Sequence, residues 1–344
     1  MWRNDFPVHF DHRTWQALIN LLKRPWWYRV WTWQEILLSD KRAYLQCGIG
    51  VIPWDSCWIS ILCLHNKEST ISTWFRERCR HVAFMKANPA QTMNNILDIN
   101  RSKGCADPRD KIYGILGITP PQFSAAISVD YSRATEDVYK EAFLVHLHLT
   151  KRSELLKHCD IAGRQIQGPS WVPDWSKTEF AAPILNAQFS SGFSRAWYKH
   201  MEPGVLELLG TRCATVKAVS EVASKVEKET LLAVRTWSTI LPNSSTYPTG
   251  ETIEEAFALT LCMNRTQERH PYNNFQNTAW WVRTLHRILS LNIDSRNDPI
   301  YEERETANTI QKVRGRRLFT TKDGYIGTAP AGIQPGECLK RTIC

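Results

Sequence analysis

The stretch Arg24–Ile36 constrains this chain more than any other. It reads Arg-Pro-Trp-Trp-Tyr-Arg-Val-Trp-Thr-Trp-Gln-Glu-Ile, with four tryptophans, two arginines and a Gln-Glu pair inside about three and a half helical turns. Pro25 suits the first turn of such a helix. Trp27, Val30, Trp31 and Gln34 then share one face, and Glu35 flanks it. So wide an aromatic surface has to be covered, and the simplest expectation is a core helix whose Glu35 pairs with Arg24 or a neighbour. The other reading is a site: an aromatic wall with a carboxylate at its margin.

Composition narrows the classes. A chain of 344 residues can bury a large core and is expected to form more than one domain. Its apolar share of 43% and charged share of 22% are those of a globular protein. No apolar run approaches 18 residues, which excludes a spanning helix. Met1-Trp-Arg-Asn-Asp lacks the apolar core of a secretion signal, so the ten cysteines are expected as reduced thiols and the location as cytoplasmic. The net charge of +9 is dispersed. Its densest cluster, Lys312-Val-Arg314-Gly-Arg316-Arg317, reads as a solvated strand edge or turn rather than a nucleic-acid site.

Periodicity divides the rest into elements. Residues 11–23 form an amphipathic helix with Asp11 as N-cap and Trp15, Leu18, Ile19 and Leu22 on one face. Arg42–Cys47 alternates as a half-buried strand, Gly48-Ile-Gly50 turns it into a second one, and Pro53 opens a helix with Trp58, Ile61, Leu62 and His65 on one side. Residues 66–104 are weakly patterned, with one helical segment around Met93, Ile96 and Leu97. Asp107-Pro108-Arg109-Asp110 reads as an N-cap, a proline at the first helical position and an acid at the third, leading through Ile112, Ile115 and Leu116 to Gly117 as a stop. A helix over Thr135–Leu149 follows. Gly168–Trp175 holds two prolines and cannot be a regular helix. Strands begin after Gly204, a mostly helical section at roughly 226–311 interrupts them, and Arg316–Thr320 with the turn Lys322-Asp323-Gly324 resumes them.

Several of these segments resemble one family. Arg24-x-Trp26-Trp27-x-Arg29-Val30-Trp31-x-x-Gln34-Glu35 looks like the signature that ends the fungal heterokaryon-incompatibility (HET) domain. Asp107-Pro-Arg109-Asp110-Lys-Ile-Tyr-Gly-Ile-Leu-Gly, with Val129-Asp130-Tyr131-Ser132 after it, resembles a block downstream of that domain. Pro169-Ser-Trp171-Val-Pro-Asp174-Trp175 is similar to the family's tryptophan turn, and Gly315–Pro330 to its closing hairpin. Together these islands touch about a quarter of the chain. The resemblance implies a mixed α+β chain: residues 1–65 as the C-terminal remnant of a HET domain of Toll/interleukin-receptor (TIR)-like α/β fold, 66–200 as a mainly helical middle, and 201–344 as a β-rich region with the helical insertion. The family's upstream strand and Cys-Ile-Asn-Gln segment do not occur before Arg24, so the chain reads as a fragment or decayed copy. Its first strands being absent, an unpaired edge beside Ala43–Cys47 is expected to drive self-association.

The implied function is non-self recognition and programmed cell death on hyphal fusion, through protein partners in incompatibility signalling, with no cofactor. The alternative is enzymatic. Some TIR domains cleave the nicotinamide–ribose bond of NAD with a glutamate at a Trp-x-x-x-Glu spacing, which Trp31-Thr-Trp-Gln-Glu35 reproduces. A carboxylate can stabilise an oxocarbenium-like ribosyl cation and an aromatic wall can hold a ring, so Glu35 is the candidate catalytic residue and NAD its substrate. Other chemistries fail on spacing. Pro169 stands where a phosphate-binding loop from Gly163 to Gly168 would need lysine. Cys63-x-His65 and Cys79-x-His81 diverge on a helix and cannot share a zinc ion. Trp280-Trp281 with Arg283 and Arg287 could stack on bases but read better as helix anchors.

Overall fold

Asp11 caps the first helix as its chemistry dictates: its carboxylate accepts the Thr14 N–H at 2.7 Å and starts α1 (His12–Lys23). The computed structural model describes residues 9–39, 42–65, 73–83, 85, 92–177, 181, 195–224, 227–244, 246–268, 276–290 and 312–342. The fold is mixed α+β with a β-rich C-terminal region. It forms two compact units. The first comprises residues 1–150 with Gln165–Gln167 and Val172–Thr178; the second comprises Lys151–Arg164, Gly168–Trp171 and 179–344.

In the first unit the tryptophan stretch is not one helix. Pro25–Tyr28 forms a 3-10 turn, Arg29 is extended at φ −70° and ψ 136°, and α2 begins afresh at Val30 and runs to Ser39. The break resets the helical phase, so the buried side is Trp27, Val30, Thr32, Trp33 and Ile36, while Trp31 and Gln34 are half-buried and Glu35 is exposed. Arg29 is extended because it pairs, in a parallel bridge, with Gly104.

Next comes an antiparallel hairpin, β1 (Tyr44–Cys47) and β2 (Gly50–Pro53), turned by Gly48 at φ +62°, a left-handed conformation that favours glycine. The strand expected here is present but largely exposed rather than half-buried. Helix α3 (Trp54–His65) buries Trp54, Cys57, Ile61 and Leu64, a face displaced from the expected one because Trp54 packs into the indole cluster. Helix α4 (Thr73–Ala83) was not legible in the sequence; α5 (Met93–Asn100), capped by Thr92, was. The long helix expected from Asp107 is a single turn, α6 (Asp110–Tyr113), followed after Gly114 by a 3-10 turn, Leu116–Ile118. Helices α7 (Pro121–Ala126) and α8 (Thr135–Thr150) complete the unit.

The second unit contains the hairpin β3 (Tyr198–Met201) and β4 (Val205–Leu208), and a four-stranded sheet of order β7-β6-β5-β8, all pairs antiparallel, from β5 (Gly210–Val219), β6 (Arg316–Thr321), β7 (Ile326–Pro330) and β8 (Cys338–Thr342). The last strand was not expected from Leu-Lys-Arg-Thr. Between β5 and β6 lie α9 (Glu227–Trp237), α10 (Ile253–Leu261) and α11 (Thr278–Ser290), whose Leu231, Trp237, Phe257, Trp281 and Leu285 form one core with Leu318. Thr252 and Glu255 form a complete capping box for α10. No helix among the described residues is long and apolar enough to cross a membrane.

Candidate functional site

Two of the sequence islands, nearly eighty residues apart, meet in the first unit. The Trp31 indole N–H donates to Asp110 Oδ2 at 3.1 Å, and the Gly117 N–H donates to Gln34 Oε1 at 2.9 Å. The approach is close enough to demand glycine. A Cβ on Gly114 would lie 2.5 Å from Val30 Cγ1, and one on Gly117 would lie 2.9 Å from Leu38 Cδ1. The two glycines thus leave room for the α2 side chains Val30 and Leu38.

The other oxygen of Asp110 accepts the Tyr131 hydroxyl at 2.6 Å, so one carboxylate ties α2 to the segment before α8. That bond pushes the Tyr131 phenol up to about 12. Its ring meets Tyr113 edge-on at 5.2 Å and lies 5.3 Å from the Arg109 guanidinium. Arg109 is itself held by Asp107 through Nε at 2.9 Å and Nη2 at 2.7 Å, and reaches the carbonyl of Arg133 at 2.8 Å. The Arg109 hydrogen bonds hold the Asp107 carboxyl below its usual range, against a modest opposing effect of burial. Asp107 also accepts the Arg109 main-chain N–H at 2.9 Å, so it caps a turn, as its position suggested, though not a long helix.

Glu35 stands apart from this network. It is exposed on α2, and among the described residues it makes no hydrogen bond or ion pair. The expected pairing with Arg24 is not formed; Arg24 and Arg29 are exposed and contribute through their main chain, each N–H closing a turn on the carbonyl of Leu21 or Trp26. The indoles behind it are structural. Trp27 donates to the Leu21 carbonyl at 2.7 Å and packs with Trp26 and Trp54.

Beneath the tryptophans lie two buried lysines that the polar segment 100–111 gave no reason to place inside. Lys111 is held by the carbonyls of Asn100 at 3.2 Å, Arg101 at 3.0 Å and Lys103. Lys103 reaches the Trp27 carbonyl at 3.4 Å and stands over the Trp33 ring at 5.8 Å. Burial pushes both ammonium groups down to about 8, and the charges of Arg78 and Lys111 add to the effect on Lys103. A lysine in a polar run reads as a surface residue, so nothing local could have revealed them.

The tryptophan turn also resolves into structural parts. Trp175 is buried against Tyr139 at 5.2 Å, and Asp174 accepts the N–H groups of Gln165 at 2.7 Å and Ser176 at 3.0 Å. Burial raises the Asp174 carboxyl, but those bonds outweigh it and hold the group low. In the second unit Trp171 donates to the Gly204 carbonyl at 2.8 Å and meets His200 edge-on. Trp281 is buried beneath Lys312, and Arg316, in the densest basic cluster, is 4% exposed and bonded to the Thr328 carbonyl at 3.0 Å. Among the described residues no group of three or more His, Cys, Asp or Glu is arranged to hold a metal ion. No protein-family model matches the chain, and no curated protein and no solved structure matches it either.

Proposed function

We propose that this chain is a HET-type recognition protein that acts in fungal non-self recognition and programmed cell death through protein contacts, its first segment belonging to a TIR-like domain. One observation carries the reading beyond the motif resemblance: Trp31 and Gln34 dock the tryptophan helix onto Asp110 and Gly117. Residues of two separate motifs hold each other, as a scaffold requires, whereas Glu35 faces solvent without the enclosure that strengthens a catalytic carboxylate. The second reading, NAD cleavage with Glu35 as the catalytic carboxylate, rests on the Trp31…Glu35 spacing. Glu35→Ala tests both. NAD turnover by the folded chain, abolished in Glu35→Ala, would establish the enzyme. Induced expression in a filamentous fungus is expected to arrest growth with wild type and Glu35→Ala alike and to fail with Asp110→Ala. Growth arrest lost in Glu35→Ala overturns the recognition reading.

A further inference from the structure

Lys111 is a buried ammonium held by main-chain oxygen alone. It is 2% exposed, and it donates to three carbonyls, those of Asn100 at 3.2 Å, Arg101 at 3.0 Å and Lys103. Among the described residues it forms no ion pair. An ammonium has three N–H donors and no acceptor, so the three oxygens use it completely. Buried cations are ordinarily paired with an anion. Convergent neutral carbonyls are instead what replaces the water shell of a monovalent cation. Burial brings Lys111 down only to about 8, so its charged form prevails at neutral pH. The cradle also has supports of its own. The Arg101 N–H closes on the Leu97 carbonyl at 3.0 Å, the Lys103 N–H closes on the Asn100 carbonyl at 2.9 Å, and the Asn100 side-chain amide donates to the Lys111 carbonyl at 2.6 Å.

We propose that the carbonyls of Asn100, Arg101 and Lys103 form a monovalent-cation site of the ammonium class, which the chain fills from within with Lys111, and that this tethered cation positions the break in the tryptophan segment. The loop runs directly into Gly104, whose N–H donates to the Tyr28 carbonyl at 2.5 Å and whose carbonyl accepts the Val30 N–H at 3.1 Å. Those two bonds flank Arg29 and hold it extended between the 3-10 turn and α2. Lys111 is thus a positioning residue, acting on the tryptophans through the loop it fills. Size selects the ligand. The N···O distances of 3.0 and 3.2 Å are those of N–H donors, and they exceed the about 2.3–2.6 Å that an ion of calcium's size, as sodium is, makes to oxygen. Truncating Lys111 at Cβ removes the equivalent of one n-propylammonium ion, so that ion is the ligand the emptied site takes. The site is independent of the functional reading above.

The test is chemical rescue in the full chain at neutral pH, read by thermal melting and amide hydrogen exchange. Lys111→Ala is expected to melt below wild type in sodium chloride and to regain roughly 3 °C or more in about 0.1 M n-propylammonium chloride of equal ionic strength. Tetramethylammonium, a cation with no N–H, and 1-propanol, which has the chain without the charge, are expected to give less than about a third of that shift. Wild type, whose site is filled, and Lys111→Met, whose side chain fills the space without charge, are expected not to respond. Exchange over residues 28–31 is expected to quicken in Lys111→Ala and to slow again with n-propylammonium while β6 in the second unit stays unchanged, which a general salt effect would not produce. If Lys111→Ala does not fold in sodium chloride, recovery of its near-ultraviolet circular dichroism in n-propylammonium takes the place of the melting shift. A Lys111→Ala chain that gains neither stability nor folding from n-propylammonium, an equal response to tetramethylammonium or propanol, an equal response in Lys111→Met, or rescue that leaves 28–31 unprotected overturns the proposal.

Discussion

Both units bury large apolar side chains, Trp33, Phe123 and Trp175 in the first and Trp237 and Phe257 in the second, but the first adds a junction of another kind. In the second, an apolar core of three helices lies with the sheet, and its largest side chains, Trp237 and Phe257, are almost completely buried. In the first, the junction runs through polar side chains reaching main chain and through glycine that makes room for a neighbouring side chain: Gln34 to Gly117, Lys111 to three carbonyls, Gly114 against Val30 Cγ1. An apolar core tolerates changes that keep its volume. A junction of this kind depends on particular atoms, because each buried polar group left unpaired costs its full desolvation.

Substitutions can break this contrast. The largest effect is expected from Trp237→Ala in the second unit, where a fully buried indole that also donates to the Glu221 carbonyl at 3.0 Å leaves a cavity. A loss of about 3–5 kcal/mol is expected in chemical denaturation. In the first unit Gly114→Ala, a single added methyl, is expected to cost about 1–3 kcal/mol, because its Cβ would fall 2.5 Å from Val30 Cγ1 and 2.8 Å from the Asp110 carbonyl oxygen. Tryptophan fluorescence should report the shift at the Trp31 environment. A neutral Gly114→Ala would show that α2 gives way and that the junction is looser than its distances.

Lys103→Met sharpens the same contrast in the opposite direction. Its folded pKa of about 8 lies below the usual lysine value of about 10.4. The folded chain therefore binds fewer protons than the unfolded chain between those values, and stability from this group rises with pH across that window. Below about pH 8 the cost of the buried ammonium is fully present. Lys103→Met is expected to stabilise the protein by roughly 1–3 kcal/mol at pH 7, with the gain shrinking towards pH 10. Denaturation midpoints of the two proteins at both pH values test the sign; a destabilised variant at pH 7 would mean that the bond to the Trp27 carbonyl and the packing over Trp33 outweigh the buried charge.

Much of the fold was legible because it follows from local chemistry. Asp11 starts a helix by accepting a main-chain N–H, Gly48 and Lys322-Asp323-Gly324 turn hairpins, and two prolines keep 168–175 irregular. The errors share one origin. A continuous tryptophan helix was expected because spacing alone cannot see that Arg29 pairs with Gly104, and the helix from Asp107 was drawn too long because Gly117 was read as its stop although the turn already ends at Gly114. Of the candidate site, the residue names were legible and their roles were not. Trp31 proved to be the partner of Asp110 and Gln34 that of the Gly117 N–H, whereas Glu35, the residue with chemistry attached, faces solvent.

The sequence by itself determined where several of the elements start and turn, which segments carry motif residues, and that no long apolar helix is present, since caps, turns and hydrophobic period act over a few residues. Tertiary structure alone decided burial and partnership. It placed uncharged β1 in solvent and Arg316, Lys103 and Lys111 inside. Burial depends on which distant backbone offers carbonyls or apolar surface at that point in space, and that information is spread over the whole chain rather than held in any one stretch of it.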